Sequence, residues 1–253
     1  MSTPDFARYR LHVADDLAIG TRLPLAREQA NYLLNVLRLK SDDTIIVFNG
    51  RDGEWLAALT AEGRKQASLG LLRQTRPQPD APDLHYLFAP LKHARLDYIA
   101  QKAVEMGAGL LQPVLTRRTQ VSRLNLDRLR ANAIEAAEQC GILSLPEIRG
   151  ECGLDAALEA LEPERLLIFC DEAMAQESPL KVQSPVTALA AAAPGPLAVL
   201  IGPEGGFDEA ERVRILARPK TLRISLGPRI LRADTAAVAA LALVQAVLGD
   251  WPR

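Results

Sequence analysis

The chain has 253 residues, 48% hydrophobic and 24% charged, with a formal net charge of −1, values that exclude disordered and fibrous proteins. It is long enough for two ordinary domains or one large one, and it has neither a signal-peptide-like run in its first twenty residues nor a segment long enough to span a bilayer. Three cysteines form no CxxC pair and leave an odd count, which suits a reducing compartment, so we expect a cytoplasmic protein with no membrane association.

The first third of the chain predicts a small β-rich domain. Apolar runs at residues 44–48 and 54–59 flank a loop that contains Gly50 and Gly53. Two short apolar runs separated by such a loop are typical of a β-hairpin. A helix near residues 27–39 is expected to interrupt the strands of this domain.

A proline-rich segment follows at residues 76–83, with three prolines and no apolar periodicity. Such a composition indicates a stiff linker. We therefore predict a first domain over residues 1–76, a linker over 77–83 and a second domain over 84–253.

The second domain alternates apolar runs of strand length with longer segments of helical period. This alternation is typical of an α/β domain with a mostly parallel sheet. No internal repeat is evident. The predicted strands cover residues 84–90, 110–115, 166–170, 197–201 and 221–226, and the predicted helices cover 96–106, 126–140, 184–193, a segment beginning at 209, and 235–248.

Charge is unevenly distributed along this domain. Residues 90–130 contain eight Lys or Arg against three acidic residues, whereas residues 131–180 contain two against eleven. Because a polyanion responds to local potential, a basic patch for nucleic acid can coexist with a near-neutral total. A solvated helix face explains the same charges equally well.

Two glycine-containing loops follow predicted strands. The first begins at Gly202 and ends before Asp208 and Glu211, which resemble a helix cap; the second begins at Gly227. Loops at the carboxyl ends of strands in an open α/β sheet are where ligands bind, although a plain tight turn is the alternative for each loop separately. Neither loop has the GxxxxGK or GxGxxG pattern of nucleotide-hydrolysing or dinucleotide-binding proteins.

The segment 235–248 is apolar on nearly every helical face. A helix of this kind is buried in a core or in a subunit interface. The three histidines, His12, His85 and His93, have no metal-ligand spacing, so we expect no metal site.

Five parts of the chain carry a combined sequence signature: 36–38 with 48–50, Asp97 with 101–107, 135–141, 202–207, and 226–232 followed by Thr235-Ala236. These segments resemble, in order, the hallmark segments of the RsmE family, the 16S ribosomal RNA uracil-N3 methyltransferases of the SPOUT superfamily. The resemblance covers most of the chain. Departures from the family pattern are Ala233 and Asp234 in place of Thr-Glu, Ile142 in place of arginine, Met106 in place of leucine, and Asn31-Tyr32 where histidine is frequent.

The resemblance implies an α/β fold in two parts, a PUA-like β-barrel that binds RNA and a SPOUT domain tied in a deep trefoil knot. It also implies a homodimer and methylation of N3 of a uridine in 16S rRNA, in the decoding region of the 30S subunit. The implied cofactor is S-adenosyl-L-methionine. The residues expected to bind it are Ile201, Gly202, Pro203, Glu204, Gly205, Leu226, Gly227, Ile230 and Leu231.

Within that resemblance, N3 methylation needs a proton acceptor and cationic groups, because the imide nitrogen gains negative charge as its proton leaves. We expect Arg232 or Arg229 to stabilise the charge, and Glu204 or Glu138 to accept the proton, with structural ion pairs and solvated carboxylates as the alternative roles.

The residues expected to contact RNA are Arg38, Arg117, Arg118 and Arg123. Methylation of a ribose 2′-oxygen or of another base, and a non-catalytic RNA-binding or ribosome-assembly role, are the alternative functions.

Overall fold

The computed structural model describes residues 9–92, 94–121, 123–174 and 183–251. The chain divides into two compact units. The first unit is Met1–Asp80 with Ala137–Leu145, and the second is Ala81–Ala136 with Pro146–Arg253. Each unit has a hydrophobic core of its own.

The first unit is built on a five-stranded sheet with the order β1-β3-β4-β5-β2. The predicted hairpin is confirmed, since β3 and β4 pair in antiparallel fashion and Ile45, Val47 and Ala57 are fully buried. Among the described strand pairs of this unit, the β1–β3 pair is parallel and the others are antiparallel. The strands are β1 (Arg10–His12), β2 (Arg22–Pro24), β3 (Thr44–Phe48), β4 (Glu54–Gly63) and β5 (Gln66–Arg76).

The helix predicted over residues 27–39 is shorter in the structure. It consists of α1 (Arg27–Asn31) and a π-helical turn (Tyr32–Val36). It ends there because Arg38 adopts the left-handed conformation, with a φ of 58°, while the amide of Leu39 donates to the carbonyl of Leu33 at 3.0 Å.

The second unit contains a parallel sheet with the order β12-β10-β11-β6-β7-β8, and β9 pairs beside β7. The predicted parallel α/β architecture is therefore confirmed. All five residues of β11 are buried, as expected of a strand covered on both faces. The strands are β6 (Leu84–Phe88), β7 (Leu110–Leu115), β8 (Glu147–Ile148), β9 (Cys152–Gly153), β10 (Leu166–Cys170), β11 (Leu197–Ile201) and β12 (Thr221–Ile224).

Helices connect these strands. The last helix, α7 (Ala233–Val247), packs on α2 (Ala94–Glu105) and on β11. The buried Gln245 of α7 donates a hydrogen bond to the carbonyl of Met106 at 2.7 Å, which satisfies a carbonyl at the end of α2 that no helical amide reaches. The other helices are α3 (Leu126–Cys140), α4 (Leu154–Glu159), α5 (Pro185–Ala190) and α6 (Glu209–Ala217).

Candidate active site

A pocket opens at the carboxyl ends of three neighbouring strands of the second unit. Strand β10 lies between β11 and β12, so the loops that follow the three strands meet at one edge of the sheet. The pocket is lined by residues 170–172 after β10, by residues of the 201–207 loop after β11, and by residues 225–231 after β12. The first turn of α7 closes it with Ala233 and Ala236.

The structure brings together most of the residues expected to bind the cofactor. Gly205 does not line the pocket; its carbonyl accepts a hydrogen bond from the guanidinium of Arg118. The other eight do line it: Ile201, Gly202, Pro203, Glu204, Leu226, Gly227, Ile230 and Leu231.

The 201–207 loop is closed on itself by Phe207. A Cβ atom at Gly202 would lie 2.6 Å from the Phe207 ring, so only glycine lets the ring fold back over the loop. The ring packs edge-on against Phe169 of β10 with centroids 5.3 Å apart. Inside the loop, the amide of Gly206 donates to the carbonyl of Pro203 at 2.9 Å. The sequence thus fixes the shape of this loop locally.

A reciprocal cap starts α6 directly after the loop, as predicted. The Asp208 carboxylate accepts from the Glu211 amide at 2.8 Å, and the Glu211 carboxylate accepts from the Asp208 amide at 3.0 Å. The bond from the Glu211 amide is the main reason that the pKa of Asp208 is lowered. Glu211 also accepts from the backbone amide of Arg117 at 2.7 Å. The Arg117 amide therefore supports the cap, and the Arg118 guanidinium supports the loop through the Gly205 carbonyl.

Glu204 lies in an ion-paired cluster at the pocket. Arg95, from the first turn of α2, reaches the Glu204 carboxylate at 3.2 Å and the Asp234 carboxylate at 3.8 Å. Arg95 thereby connects the loop after β11 to the first turn of α7, and it fixes where the Glu204 carboxylate stands. Asp234, a departure from the family pattern, makes its contact with Arg95 at the longer of these two distances.

The two expected catalytic arginines differ in position. Both are exposed, but Arg229 lines the pocket, whereas Arg232 is the N-cap residue of α7 and is not among the lining residues. Within the described residues, neither guanidinium forms an ion pair or a hydrogen bond.

Glu138 belongs to the first unit. There its carboxylate accepts a hydrogen bond from the backbone amide of His12 at 2.8 Å. Arg38 also lies in the first unit, at the end of the π-helical turn, and Arg123 lines a second pocket described below.

Sequence reasoning missed the residues that β10 contributes. Asp171 is buried, and its carboxylate accepts from Arg212 at 3.1 Å and from Arg223 at 2.7 Å. Cys170 and Glu172 line the pocket on either side of it. The usable signal was the strand itself, because the carboxyl end of a central parallel strand lies at the same edge as those of its neighbours.

Two groups next to the pocket are held in their neutral forms. Desolvation, aided by the adjacent Asp171, raises the pKa of the Cys170 thiol to about 12. Burial also raises the pKa of Tyr86, with smaller contributions from Cys170 and Asp234. The Tyr86 hydroxyl has no hydrogen-bond partner among the described residues. Cys170 is therefore a neutral wall of the pocket and not a thiolate nucleophile.

In the part of the chain that the structure describes, no three His, Cys, Asp or Glu side chains are grouped so that they could hold a metal ion. Over the same residues, no helix combines the length and apolar character needed to cross a bilayer.

A cleft at the carboxyl ends of adjacent parallel strands is typical of an α/β enzyme with a small-molecule cofactor. The class of enzyme follows from the matching sequence families: the RNA methyltransferase domain matches residues 78–245, and the RNA methyltransferase PUA domain matches residues 25–72.

Similar proteins narrow the class. Ribosomal RNA small subunit methyltransferase E of Rickettsia conorii is 31% identical, over 93% of this chain and 94% of that protein. The chain belongs to the ribosomal RNA small subunit methyltransferase E family, which confirms the resemblance seen in the sequence.

Solved structures agree. The crystal structure of ribosomal RNA small subunit methyltransferase E from Neisseria gonorrhoeae bound to S-adenosyl methionine matches with a TM-score of 0.81 and 27% identity, covering 96% of this chain and 99% of that one. A putative methyltransferase from Legionella pneumophila, in complex with the same cofactor, matches with a TM-score of 0.79 and 28% identity, covering 94% and 97%.

Proposed function

We propose that the protein transfers a methyl group from S-adenosyl-L-methionine to N3 of a uridine in 16S rRNA, in the decoding region of the 30S subunit. The observation that carries this proposal is the pocket shared by the loops after β10, β11 and β12. The two similar structures that hold the cofactor add support.

The residues present fit this cofactor, which is a cation with an apolar adenine. Ile201, Leu226 and Ile230 offer apolar walls, and Glu172 and Glu204 offer carboxylates to the positive end. The expected residues, with Gly205 supporting the loop from behind, would hold it through backbone groups and these walls. When bound, S-adenosyl-L-methionine supplies a methyl group that its sulfonium already activates.

The residues of the chain supply the rest of the reaction. N3 lies on the Watson–Crick edge of uracil, so the target base must be unpaired or turned out of its stack. Glu204 accepts the N3 proton, because its carboxylate lines the pocket and Arg95 fixes its position. Arg229 stabilises the negative charge that spreads to the uracil oxygens as the proton leaves.

Arg232 and Glu138 have supporting roles in this proposal. Arg232 begins α7 beside the pocket and is exposed, so it faces the incoming RNA and shares the charge stabilisation with Arg229. Glu138 remains the second candidate for the proton acceptor, although its described contact is with the amide of His12.

RNA binding is assigned to both domains, with residues 1–76 as a PUA-like barrel, 77–83 as the linker and 84–253 as the SPOUT domain. The match of residues 25–72 to a PUA domain of RNA methyltransferases supports the first assignment. Arg38, Arg117, Arg118 and Arg123 contact RNA phosphates in this proposal. Replacing Arg117, Arg118 and Arg123 together by alanine should reduce the salt dependence of RNA binding.

The trefoil knot, the homodimer and the cytoplasmic location complete the proposal. Insertion of β11 between β10 and β6 supports a threaded connection. Partly exposed apolar residues on α7, among them Val238 and Ala242, support a subunit interface. Because the substrate is ribosomal RNA, the enzyme must reach ribosomes in the cytoplasm.

One assay tests the reaction. Small subunits that lack the modification are incubated with the protein and tritiated cofactor, and the labelled nucleoside is identified by mass. We expect 3-methyluridine. A label on a ribose oxygen or another base would overturn the N3 assignment, and no label on subunits or free 16S rRNA would overturn the proposed activity.

Single-turnover rates test the roles. Arg229→Ala should lower the rate by about 10²-fold or more at unchanged cofactor affinity, and Glu204→Gln should lower it by a similar factor at saturating cofactor, as for other groups that stabilise charge or accept protons. Arg130→Ala, an exposed arginine of α3, serves as the control. An unchanged rate in either variant would remove that residue from the chemistry.

A further inference from the structure

A second pocket lies in the same unit, between the amino ends of α2 and α3. Its walls come from the chain after β6, the first turn of α2 and the segment that leads into α3. None of its lining residues lines the first pocket. The proposed methylation chemistry therefore does not account for this second pocket.

The inner surface of this pocket is apolar. Leu91 and Leu129 are buried, and Leu96, Val121 and Leu124 are partly exposed toward it. Aliphatic walls of this kind remove water from the faces of a flat, uncharged group of modest size, such as a nucleobase.

Two cations stand at its rim. Lys92 and Arg123 are exposed, and neither side chain forms an ion pair or hydrogen bond within the described ranges. Both belong to residues 90–130, the most basic segment of the chain, with eight basic and three acidic residues. Their charge is therefore free to act on an anion.

The carboxylate in the pocket does not cancel this charge. The Asp97 carboxylate accepts from Nε of Arg128 at 2.9 Å and from the side-chain amide of Asn132 at 2.8 Å. Asn125 caps α3, accepting from the Arg128 amide at 3.0 Å. The pair Asp97–Arg128 is neutral as a unit, which leaves the pocket with two net positive charges.

The pocket is also connected to the first one through α2 and the chain before it. The amide of Ala89 donates to the carbonyl of Ile201 at 3.0 Å, and Arg95 contacts Glu204. Arg95 of α2 thus contacts the 201–207 loop of the first pocket, while Leu96 and Asp97, next in the chain, line the second pocket.

We propose that the second pocket holds one nucleotide of the substrate RNA next to the target uridine, with its base against the apolar walls and its phosphate between Lys92 and Arg123. The target itself is excluded, because its N3 must reach the first pocket. This inference rests on the proposed function and adds a subsite to it. Such a subsite would select RNA in which the neighbour of the target is also unpaired.

Binding of the full-length protein to small subunits lacking the modification, measured across a salt series, tests the inference. In single strands each neutralised phosphate contributes about 0.7 to the slope of log affinity against log salt, so Lys92→Ala/Arg123→Ala, which releases the one phosphate, should lower the slope by about 0.7. Arg130→Ala, which removes an arginine that lies outside the pocket and pairs with Asp127, is the matched control and should change the slope less.

A second variant tests the apolar walls. Val121→Phe narrows the pocket without changing charge, and it should weaken binding at an unchanged slope. Calorimetry with S-adenosyl-L-methionine, expected to be unaltered in every variant, reports that the fold is intact.

Two results would overturn the inference. An unchanged slope in the double variant would remove the phosphate contacts, and undiminished binding by Val121→Phe would remove the base from the pocket. Methylation by the wild-type protein in the same preparation separates these failures from failure of the proposed function, which would abolish methylation in the wild type as well.

Discussion

Each unit of the protein buries one carboxylate between two arginines, and the surroundings of the two clusters differ. In the first unit, Glu54 pairs with Arg10 and Arg76, which joins residues of β1, β4 and β5. In the second unit, Asp171 pairs with Arg212 of α6 and Arg223 of β12 at the pocket formed by the loops after β10, β11 and β12.

Solvent access separates the two clusters. Both carboxylates are buried, with Glu54 2% and Asp171 4% exposed, and Arg76, Arg212 and Arg223 are 17%, 14% and 22% exposed; Arg10, at 3%, is the arginine of these clusters that is closed to solvent. A fully buried pair leaves a costly bare charge when one partner is lost, and water relieves that cost at a partly open one. The same chemical motif therefore acts as a structural tie in one unit and as a pocket support in the other.

The largest effect is expected from Glu54→Gln. The variant removes the carboxylate charge that pairs with the buried guanidinium of Arg10, which should lower the free energy of unfolding by about 3–5 kcal/mol. Urea titration measures this loss. Glu62→Gln, in the exposed pair with Arg22, is the control and should cost no more than about 1 kcal/mol. Equal losses in the two variants would contradict the role of burial.

Asp171→Asn should have a smaller effect on folding and a second effect on binding. Removing the negative charge beside the partly exposed Arg212 and Arg223 should lower the free energy of unfolding by about 1–3 kcal/mol. Because Asp171 lies at the end of β10 among the pocket residues, cofactor affinity in calorimetry should also fall. Glu54→Gln should keep that affinity, and Glu164→Gln, in the surface pair with Lys220, should change neither quantity. Unaltered affinity in Asp171→Asn would make the second cluster purely structural.

The Asp208 carboxylate is less buried than Glu54 and Asp171, and its removal should cost less stability. Asp208→Ala removes the cap of α6 after the cofactor loop and should cost about 1 kcal/mol in urea titration. Asp208→Asn should restore most of this stability, because asparagine caps as well as aspartate does. A full loss in Asp208→Asn would show that charge, and not capping, holds the helix end.

The smallest effect concerns one histidine in each unit, His12 in the first and His85 in the second. Burial lowers the pKa of His12, aided by Arg51, and burial also lowers the pKa of His85, aided by Arg165. The unfolded chain binds these protons more readily, so stability is complete above the ordinary value of about 6.5 and falls as the pH drops below it. Urea titrations at pH 7.5 and 5.5 measure the fall.

Substitution separates this histidine effect from other groups. His12→Gln should reduce the difference between the two pH values, since exposed carboxylates such as Glu162, with a pKa lowered to about 2, titrate at lower pH. An unchanged difference in both His12→Gln and His85→Gln would exclude burial of neutral histidine as the cause.

Strands of the second unit could be predicted from sequence because β10 and β11 are buried on both faces and read as unbroken apolar runs. Strand β5 was not predicted, since its exposed half, with Arg73, Gln74 and Thr75, carries no apolar period. The length of the first helix was overestimated because its end depends on the left-handed conformation of Arg38, for which glycine is the usual signal.

The loops of the site were predictable and its charge network was not. Gly202 and Asp208 form their contacts within a few residues, so local sequence specifies them. Asp171 acquires its role from Arg212 and Arg223, and Glu204 from Arg95, which lies far away in the chain. Single-sequence patterns carry no information on such pairings, because they exist only after the strands have assembled.

Strand β11 occupies a middle position in its sheet, yet β6, β7 and β10 all precede it in the chain. A growing polypeptide thus exposes the edges of β6 and β10 before the strand that joins them has been synthesised, and contacts over such separations form slowly. We expect the first pocket to be the last part of the molecule to mature, since the last of the loops that line it follows β12.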